Sequence, residues 1–276
     1  MTALAIDHAR MVSWAEFSGD WNPIHFDRAV AARLGAAERV VHGMIALVLA
    51  QEHVWRAATR DEDTNGWWAF HARLKRPIEE SSVVRVVSRA AGADVRFGIE
   101  GTAGQTHVTG NLVPVDGAER FLREAPRGPV IALPSYRVDP QDACDRVARF
   151  AAVFPEVTAP WIGLSALFFS EFLVRNLATL RERTRTSARF AHVAKDDLVA
   201  VQTTHAVRFD AARSEAATLS WPGPLACDFA PLEFFAAGDG VAAECRWRVS
   251  CGGEPLMDMG VGLLIKNVGN PTQERT

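Results

Sequence analysis

The chain has 276 residues, 48% of them hydrophobic, and a formal net charge of −3 from 30 basic and 33 acidic residues. This length suits one large or two small globular domains, and the scattered, balanced charges exclude a basic nucleic-acid-binding surface. The N-terminus lacks a signal-peptide pattern, and the longest apolar run, residues 162–173, is too short to span a bilayer, so we expect a cytoplasmic protein with no membrane partner.

The first half of the chain begins with helical patterns. Residues 11–17 are amphipathic, and residues 27–34 predict a short helix after a turn rich in Ser, Gly, Asp, Asn and Pro. Residues 44–58 are apolar on most faces, which is typical of a helix wrapped by a sheet. Alternation of apolar and polar residues then predicts four strands, at residues 70–75, 82–88, 94–99 and 107–115.

The second half repeats this order. Residues 142–150 predict an amphipathic helix, residues 164–181 a buried one, and four strands follow at 198–209, 225–235, 241–249 and 257–265. A buried helix followed by an antiparallel meander, occurring twice, predicts a duplicated α+β fold. We place the joint in the Pro/Gly/Arg-rich stretch 120–134, which gives an N-terminal domain of residues 1–125 and a C-terminal domain of residues 126–276.

The turn at residues 17–27 reads FSGDWNPIHFD and carries an acid–base pair. Taken singly, Asp20 suits a turn, Asp27 suits a helix N-cap, and His25 suits a hydrogen bond to backbone. Because Asp20 and His25 lie five residues apart on one compact turn, both can face one crevice. A carboxylate and an imidazole there can hold one water and move its proton.

A second short segment, Val41-His42-Gly43-Met44, opens the long apolar helix. A glycine at a helix N-terminus exposes backbone N–H groups to whatever lies in front of it. Those donors and the helix dipole stabilise the oxyanion of an enolate formed at a thioester carbonyl. The first half therefore offers a base, a proton carrier and an oxyanion site for hydrating an α,β-unsaturated thioester.

The run F-S-G-D-x-N-P-I-H-x-D followed by V-H-G-M resembles the hydratase motif of the MaoC-like family, which includes the (R)-specific enoyl-CoA hydratases. The resemblance implies a hot-dog fold, a catalytic pair Asp20 and His25, and a Gly43 amide that polarises the thioester carbonyl. It also implies a helix entrance shaped by His42 and Met44, and a turn supported by Ser18, Gly19, Asn22, Pro23 and Asp27.

The implied reaction interconverts an enoyl thioester and a 3-hydroxyacyl thioester. The substrate is an acyl-CoA or an acyl-carrier-protein thioester, so CoA or phosphopantetheine enters as part of it. Neither a metal nor a redox cofactor is expected. The four cysteines, Cys144, Cys227, Cys245 and Cys251, show no CxxC spacing and are expected to be reduced thiols.

The second half departs from the motif. Setting Phe150 against Phe17 places Val153 at the Asp20 position and Thr158 at the His25 position, while Gly163 is expected to open the second buried helix as Gly43 opens the first. The resemblance therefore implies a double hot-dog with one active site per chain. Because two units are already fused, either a monomer or a homodimer is expected.

Two other functions remain open at this point. Hot-dog thioesterases often place a catalytic carboxylate in the buried helix, which makes Glu52 and Glu171 candidates, although helix glutamates are usually solvated. The third alternative is a protein that binds acyl thioesters without catalysis.

Other side chains have both a functional and a structural interpretation. Trp67, Trp68 and Trp161 suit either an acyl channel or the core. Arg73, Lys75 and Arg76 suit either the phosphate of a carrier or the solvated face of a strand.

Overall fold

A computed structural model describes residues 2–59, 65–117, 130–186, 190, 193, 197–219 and 223–269. The described residues form one twelve-stranded antiparallel sheet and six α-helices. The helices are α1 (His8–Ser18), α2 (Arg28–Arg33), α3 (Gly43–Ala58), α4 (Pro140–Val153), α5 (Pro160–Arg185) and α6 (Ala211–Leu219). The strands are β1 (Thr2–Ala5), β2 (Trp67–Leu74), β3 (Val83–Ala91), β4 (Asp94–Gly101), β5 (Thr106–Val115), β6 (Val130–Ile131), β7 (Tyr136–Val138), β8 (Leu198–Asp210), β9 (Leu225–Phe229), β10 (Leu232–Ala237), β11 (Gly240–Cys251) and β12 (Glu254–Asn267).

The N-terminal unit wraps five strands around α3. Its strand order is β1-β3-β4-β5-β2, with every pair antiparallel. Helix α3 is apolar on nearly all sides, and its residues from Met44 to Glu52 are all buried. A helix with this composition needs a sheet that curves around it, because no face of it is suited to water. The predicted helix-in-sheet unit is therefore present.

The C-terminal unit repeats the plan around α5. Strands β8, β12, β11 and β10 continue the sheet, with β6 beyond β10, while β9 pairs with β11 and β7 pairs with β9. The two units join edge to edge, where β2 pairs with β8 from Trp67↔Asp210 to Arg73↔Thr204. This pairing removes two sheet edges and places both central helices on one surface of a continuous sheet.

One strand prediction and one helix prediction need correction. The single strand expected at 225–235 is two strands, β9 and β10, interrupted beside Pro231, which has no N–H to donate to a ladder. Gly163 does not open the second buried helix. That helix begins at Pro160, because proline at the first helical position loses no intrahelical hydrogen bond, and Gly163 lies one turn inside.

The apolar run 162–173 is part of α5, which has 26 residues. The expectation that this segment is too short to span a bilayer is therefore wrong, because the helix extends beyond the run at both ends. By length and composition alone α5 is able to cross a membrane, and 72% of its most apolar window is buried inside the protein. The central helix of a sheet-wrapped unit meets the same criteria. The proposed domain boundary between residues 125 and 126 lies outside the described residues.

Candidate active site

The catalytic turn begins where α1 ends. Gly19 adopts a left-handed conformation with φ 71° and donates its N–H to the carbonyl of Ala15, which stops the helix. The Ser18 hydroxyl then accepts the N–H of Asp20, and the Asp20 carboxylate accepts the N–H of Asn22 at 3.3 Å. These short-range bonds turn the chain sharply and hold the Asp20 carboxyl group on its inner side.

His25 ends a 3-10 turn that runs from Pro23 to His25. Its Nδ1 lies 2.6 Å from the carbonyl oxygen of Val40, so Nδ1 carries the proton and donates it. The Nε2 atom therefore presents a lone pair, and it lies 3.9 Å from Oδ2 of Asp20. His25 is buried, and the sequence-predicted pair is brought together within the range that one bridging water spans.

His42, the N-cap residue of α3, contacts both members of this pair. Its Nε2 donates to the backbone carbonyl of Asp20 at 2.9 Å, and its ring stacks on that of His25 with centroids 3.7 Å apart. These contacts fix the backbone of Asp20 and the plane of the His25 ring. His42 lies at the entrance of α3, and a role in shaping that entrance stays a prediction.

Nitrogen and oxygen atoms of Asp20, His25 and His42 lie within 4.8 Å of one another, which raises the question of a metal. The two imidazoles are stacked with an angle of 26° between their planes. Because the nitrogen lone pairs lie in the ring planes, stacked rings direct them nearly parallel and away from a common centre. Each ring also uses one nitrogen on a backbone carbonyl. The cluster suits proton transfer better than tetrahedral coordination.

Burial sets the protonation of the cluster. It lowers the pKa of His25 to about 4, against a smaller raising effect of the Val40 carbonyl. It lowers the pKa of His42 to about 3, with the neighbouring His25 ring contributing in the same direction. Burial also raises the pKa of Asp20, opposed by His42 and by the N–H of Asn22. At neutral pH both imidazoles are uncharged, and the raised pKa of Asp20 means that its ionised form is a stronger base than usual.

Gly43 is the first residue of α3, where intrahelical bonding leaves the N–H groups without acceptors. A side chain at this position would have to displace its neighbours, because a Cβ on Gly43 would lie 2.6 Å from Cδ2 of Leu74 and 3.1 Å from Oε1 of Gln202. The glycine therefore keeps the space in front of the helix terminus open. This is the location predicted for the oxyanion site.

A cavity of about 320 Å³ lies in front of these groups, lined by Asp20, Asn22, His25, His42, Gly43 and Met44. The C-terminal unit supplies much of the remaining wall, including Phe169, Leu173, Leu177, Gln202, Leu263 and Leu264. The cavity beside Gly43 is thus partly walled by the second unit, and it remains open. Its lining is mainly apolar away from the catalytic turn, as expected for an acyl chain.

The supporting residues of the motif lie in and around the turn. Ser18 and Gly19 bend the chain, and Pro23 starts the 3-10 turn. Asp27 caps α2 by accepting the N–H of Ala29 at 2.7 Å. Asn22 has a role that the sequence does not reveal: its side-chain amide donates to the carbonyl of Ala200 in β8, 178 residues away along the chain.

In the structure, two of the basic candidates line the cavity and the aromatic candidates do not. Lys75 and Arg76 line the cavity, together with Lys266 from β12, whereas Arg73 is not among its lining residues. Trp161 is fully buried, with its ring stacked on Phe209 at 4.0 Å. The tryptophans predicted as channel candidates are therefore not part of the cavity wall.

Both glutamates proposed for a thioesterase are buried and engaged elsewhere, so the expectation of solvated helix glutamates is wrong. The Glu52 carboxylate accepts the N–H groups of Thr158 and Ala159 at 3.1 Å each and pairs with Arg56. It thereby holds the two residues that precede α5. The Glu52 carboxylate and these backbone amides satisfy each other, and Glu52 does not line the cavity.

Glu171 is held in an equivalent way in the other unit. Its carboxylate pairs with Arg146 of α4 and, four residues along α5, with Arg175 at 2.6 Å. Neither glutamate faces the space in which an acyl thioester would lie. The thioesterase alternative has no support from these two residues.

Residues 2–111 match the sequence family described as MaoC like domain. Over 33 residues the chain is 52% identical to the mitochondrial 3-hydroxyacyl-[acyl-carrier-protein] dehydratase of Arabidopsis thaliana, a match that covers 12% of this chain and 20% of that protein. The chain therefore spans about a fifth of the length of this curated relative.

Two solved structures share the fold over nearly the whole chain. A conserved Mycobacterium tuberculosis protein with a double hotdog fold superposes with a TM-score of 0.54, 11% identity, and coverage of 96% of this chain and 94% of the other. A MaoC-like dehydratase gives a TM-score of 0.53, 12% identity, and coverage of 96% and 95%. Residues 2–111 are therefore similar to the MaoC like domain, and the chain has the double hot-dog fold.

Proposed function

We propose that the protein is a hydro-lyase that interconverts a 2-enoyl thioester and a 3-hydroxyacyl thioester. The observation that carries this proposal is the Asp20–His25 pair, which lies with Oδ2 and Nε2 3.9 Å apart in a cavity that also contains the N-terminus of α3. The matches to the MaoC-like family and to a 3-hydroxyacyl thioester dehydratase support the same reaction class.

In the hydration direction, one water bridges Asp20 Oδ2 and His25 Nε2, at a separation too long for a direct hydrogen bond. The water oxygen bonds to the β-carbon, its proton passes to the Asp20 carboxylate, and the π electrons move onto the thioester oxygen as an enolate. His25 accepts a hydrogen bond at Nε2 from the remaining O–H, which stays on the oxygen as the 3-hydroxyl group, and the ring stays neutral because its pKa is about 4.

The enolate then collapses and takes its proton at the α-carbon. The protonated Asp20 supplies this proton from the same side of the substrate, which restores the carboxylate and completes the addition of water. The Gly43 N–H and the α3 terminus stabilise the charge that develops on the thioester oxygen. Dehydration follows the same path in reverse.

The carrier of the acyl group is expected at the basic part of the cavity. Lys75, Arg76 and Lys266 line it in a chain whose net charge is −3. Cationic side chains suit the phosphate groups that both CoA and phosphopantetheine bear. The apolar wall from the C-terminal unit suits the acyl chain.

The test follows enoyl absorbance and free thiol together over a series of enoyl, 3-hydroxyacyl and saturated thioesters. Enoyl absorbance is expected to change while thiol stays constant, and Asp20→Asn and His25→Ala are each expected to reduce turnover by about 10²-fold or more with circular dichroism unchanged. Thiol release from saturated thioesters identifies a thioesterase. Binding without turnover in the wild type identifies a non-catalytic binding protein, and either result overturns the proposal.

A further inference from the structure

Strand β8 of the C-terminal unit departs from regular geometry beside the active site. Its pairing with β12 runs Gly262↔Thr204 and then Leu263↔Gln202, so Thr203 is an extra residue on β8. In a regular strand alternate residues face one side, yet four consecutive ones, from Ala200 to Thr203, line the cavity. A β-bulge of this kind redirects a side chain.

The side chain so directed is that of Gln202. Its Oε1 lies 3.1 Å from the position that a Cβ on Gly43 would occupy, and its Nε2 lies 3.7 Å from Sδ of Met44. The carboxamide therefore lies directly against the first turn of α3. No other polar side chain of the C-terminal unit approaches Gly43 within 4 Å of that position among the described residues.

The carboxamide is held from its other side by His205. Gln202 Nε2 lies 3.4 Å from His205 Nδ1, and the His205 ring sits between the rings of Phe70 and Phe169 at centroid distances of 6.3 and 6.0 Å. His205 is buried, which lowers its pKa to about 3, so the ring is neutral and Nδ1 is able to accept a hydrogen bond.

We propose that Gln202 is a substrate-contacting residue whose carboxamide donates a second hydrogen bond to the thioester carbonyl oxygen, beside the N–H of Gly43. The amide nitrogen carries two hydrogens. One bonds to His205 Nδ1, and the other, now near Met44 Sδ, bonds to the substrate oxygen. His205 is a positioning residue that acts through Gln202. This inference rests on the proposed function, because the oxygen it contacts is that of the proposed substrate.

Two donors suit the chemistry better than one. Negative charge grows on the thioester oxygen as the enolate forms, and donors fixed before the reaction stabilise that charge without reorganising. The active site of the N-terminal unit is then incomplete without β8 of the C-terminal unit. The second unit, without an acid–base pair of its own, contributes a polar group as well as an apolar wall.

The first test compares Gln202→Met, which keeps the length of the side chain and removes its donor, with the wild type. The kcat/KM of hydration is expected to fall by about 10²-fold. Gln202→Glu, which places a carboxylate beside the developing oxyanion, is expected to lower it at least as far. Thr204→Val, an exposed position two residues along the same strand, is the control and is expected to retain wild-type activity.

The second test separates contact with the carbonyl from packing. Hexanoyl-pantetheine has the thioester carbonyl, and S-hexyl-pantetheine has a methylene in its place. Gln202→Met is expected to weaken binding of the first at least tenfold and to leave binding of the second unchanged. Equal weakening of both ligands, or of neither, overturns the proposal.

The role of His205 is tested with His205→Asn alone and combined with Gln202→Met. The single change is expected to lower kcat/KM, and the combined change is expected to be no worse than Gln202→Met alone, since His205 acts through Gln202. Additive losses overturn the positioning role. If wild-type protein hydrates no enoyl thioester, the proposed function fails. If the wild type is active and Gln202→Met matches it, only the present inference fails.

Discussion

The side-chain amide of Asn22 donates a hydrogen bond to the backbone carbonyl of Ala200, with 2.7 Å between Nδ2 and the oxygen. This bond ties the catalytic turn of the N-terminal unit to strand β8 of the C-terminal unit. Asn22 is buried, and it lies between Asp20 and His25 in the chain. The position of the acid–base pair therefore depends on contact between the two units.

Replacement of Asn22 tests this dependence. Asn22→Ala is expected to lower kcat at least tenfold and to reduce the free energy of unfolding by about 1–3 kcal/mol, because the Ala200 carbonyl loses its buried partner. Steady-state kinetics and urea unfolding measure the two effects. Gln141→Ala removes an exposed side-chain bond to Asp145 and is the control. An Asn22→Ala variant with normal kcat would show that the turn holds its shape without β8.

A side chain at Gly43 is expected to block the oxyanion site. The Cβ of Gly43→Ala would lie 2.6 Å from Leu74 Cδ2 and must displace both Leu74 and Gln202. We expect a folded protein whose kcat/KM falls by about tenfold or more, since the carbonyl can no longer approach the helix terminus. Gly98→Ala, where the nearest atom is 3.5 Å from the new Cβ, is the control. Unchanged kcat/KM in Gly43→Ala would contradict the oxyanion role.

Buried histidines are expected to make the fold sensitive to mild acid. The pKa values of His25, His42 and His205 are lowered by burial to about 4, 3 and 3, whereas unfolded histidine titrates near 6.5. The unfolded chain therefore binds more protons, and stability that is fully present above pH 6.5 is lost as pH falls toward 4. The raised pKa of Asp20 opposes part of this loss.

The free energy of unfolding is expected to fall by about 4 kcal/mol at one pH unit below the pKa of unfolded histidine, with the three histidines contributing equally. Urea unfolding between pH 8 and pH 5 measures it. In His205→Gln the dependence on pH should fall by about one third. A free energy of unfolding that does not change over this range would show that these rings are protonated in the folded protein.

Glu52 is expected to matter for stability and not for hydration. Glu52→Gln keeps the shape of the side chain but weakens its bonds to Arg56 and to the amides of Thr158 and Ala159. We expect a loss of about 2–3 kcal/mol in the free energy of unfolding, with kcat per folded molecule retained. Glu182→Gln, an exposed pair with Arg185, is the control. Loss of a thioesterase activity in Glu52→Gln would instead restore the hydrolase alternative.

Local patterns predicted most of the architecture. The two buried helices are recognisable because α3 and α5 are apolar on nearly every face, and the meanders are recognisable from period-two alternation. The errors occur where a single residue, or a contact between residues far apart in the chain, determines the local secondary structure. Pro231 divides one predicted strand into two, and α6, although composed of good helix formers, was not predicted.

The candidate site likewise has one part that the sequence predicts and another that only the fold shows. The turn that presents Asp20 and His25 is built from bonds between residues two to four positions apart, so its residue types predict it. Glu52 and Glu171 are candidate catalysts from the sequence, because the sequence does not show which groups bind their carboxylates. Only the fold shows that Thr158, Ala159, Arg56, Arg146 and Arg175 engage them.

The sequence by itself determined the duplicated helix-in-sheet plan and the acid–base turn of the first unit, since both depend on local periodicity and short-range hydrogen bonds. The tertiary structure alone decided that β8 bonds to Asn22, that Gln202 lies against Gly43, and that α5 walls the cavity. These contacts join residues more than a hundred positions apart. They exist because β2 and β8 pair at the sheet edge, and no local pattern specifies that pairing.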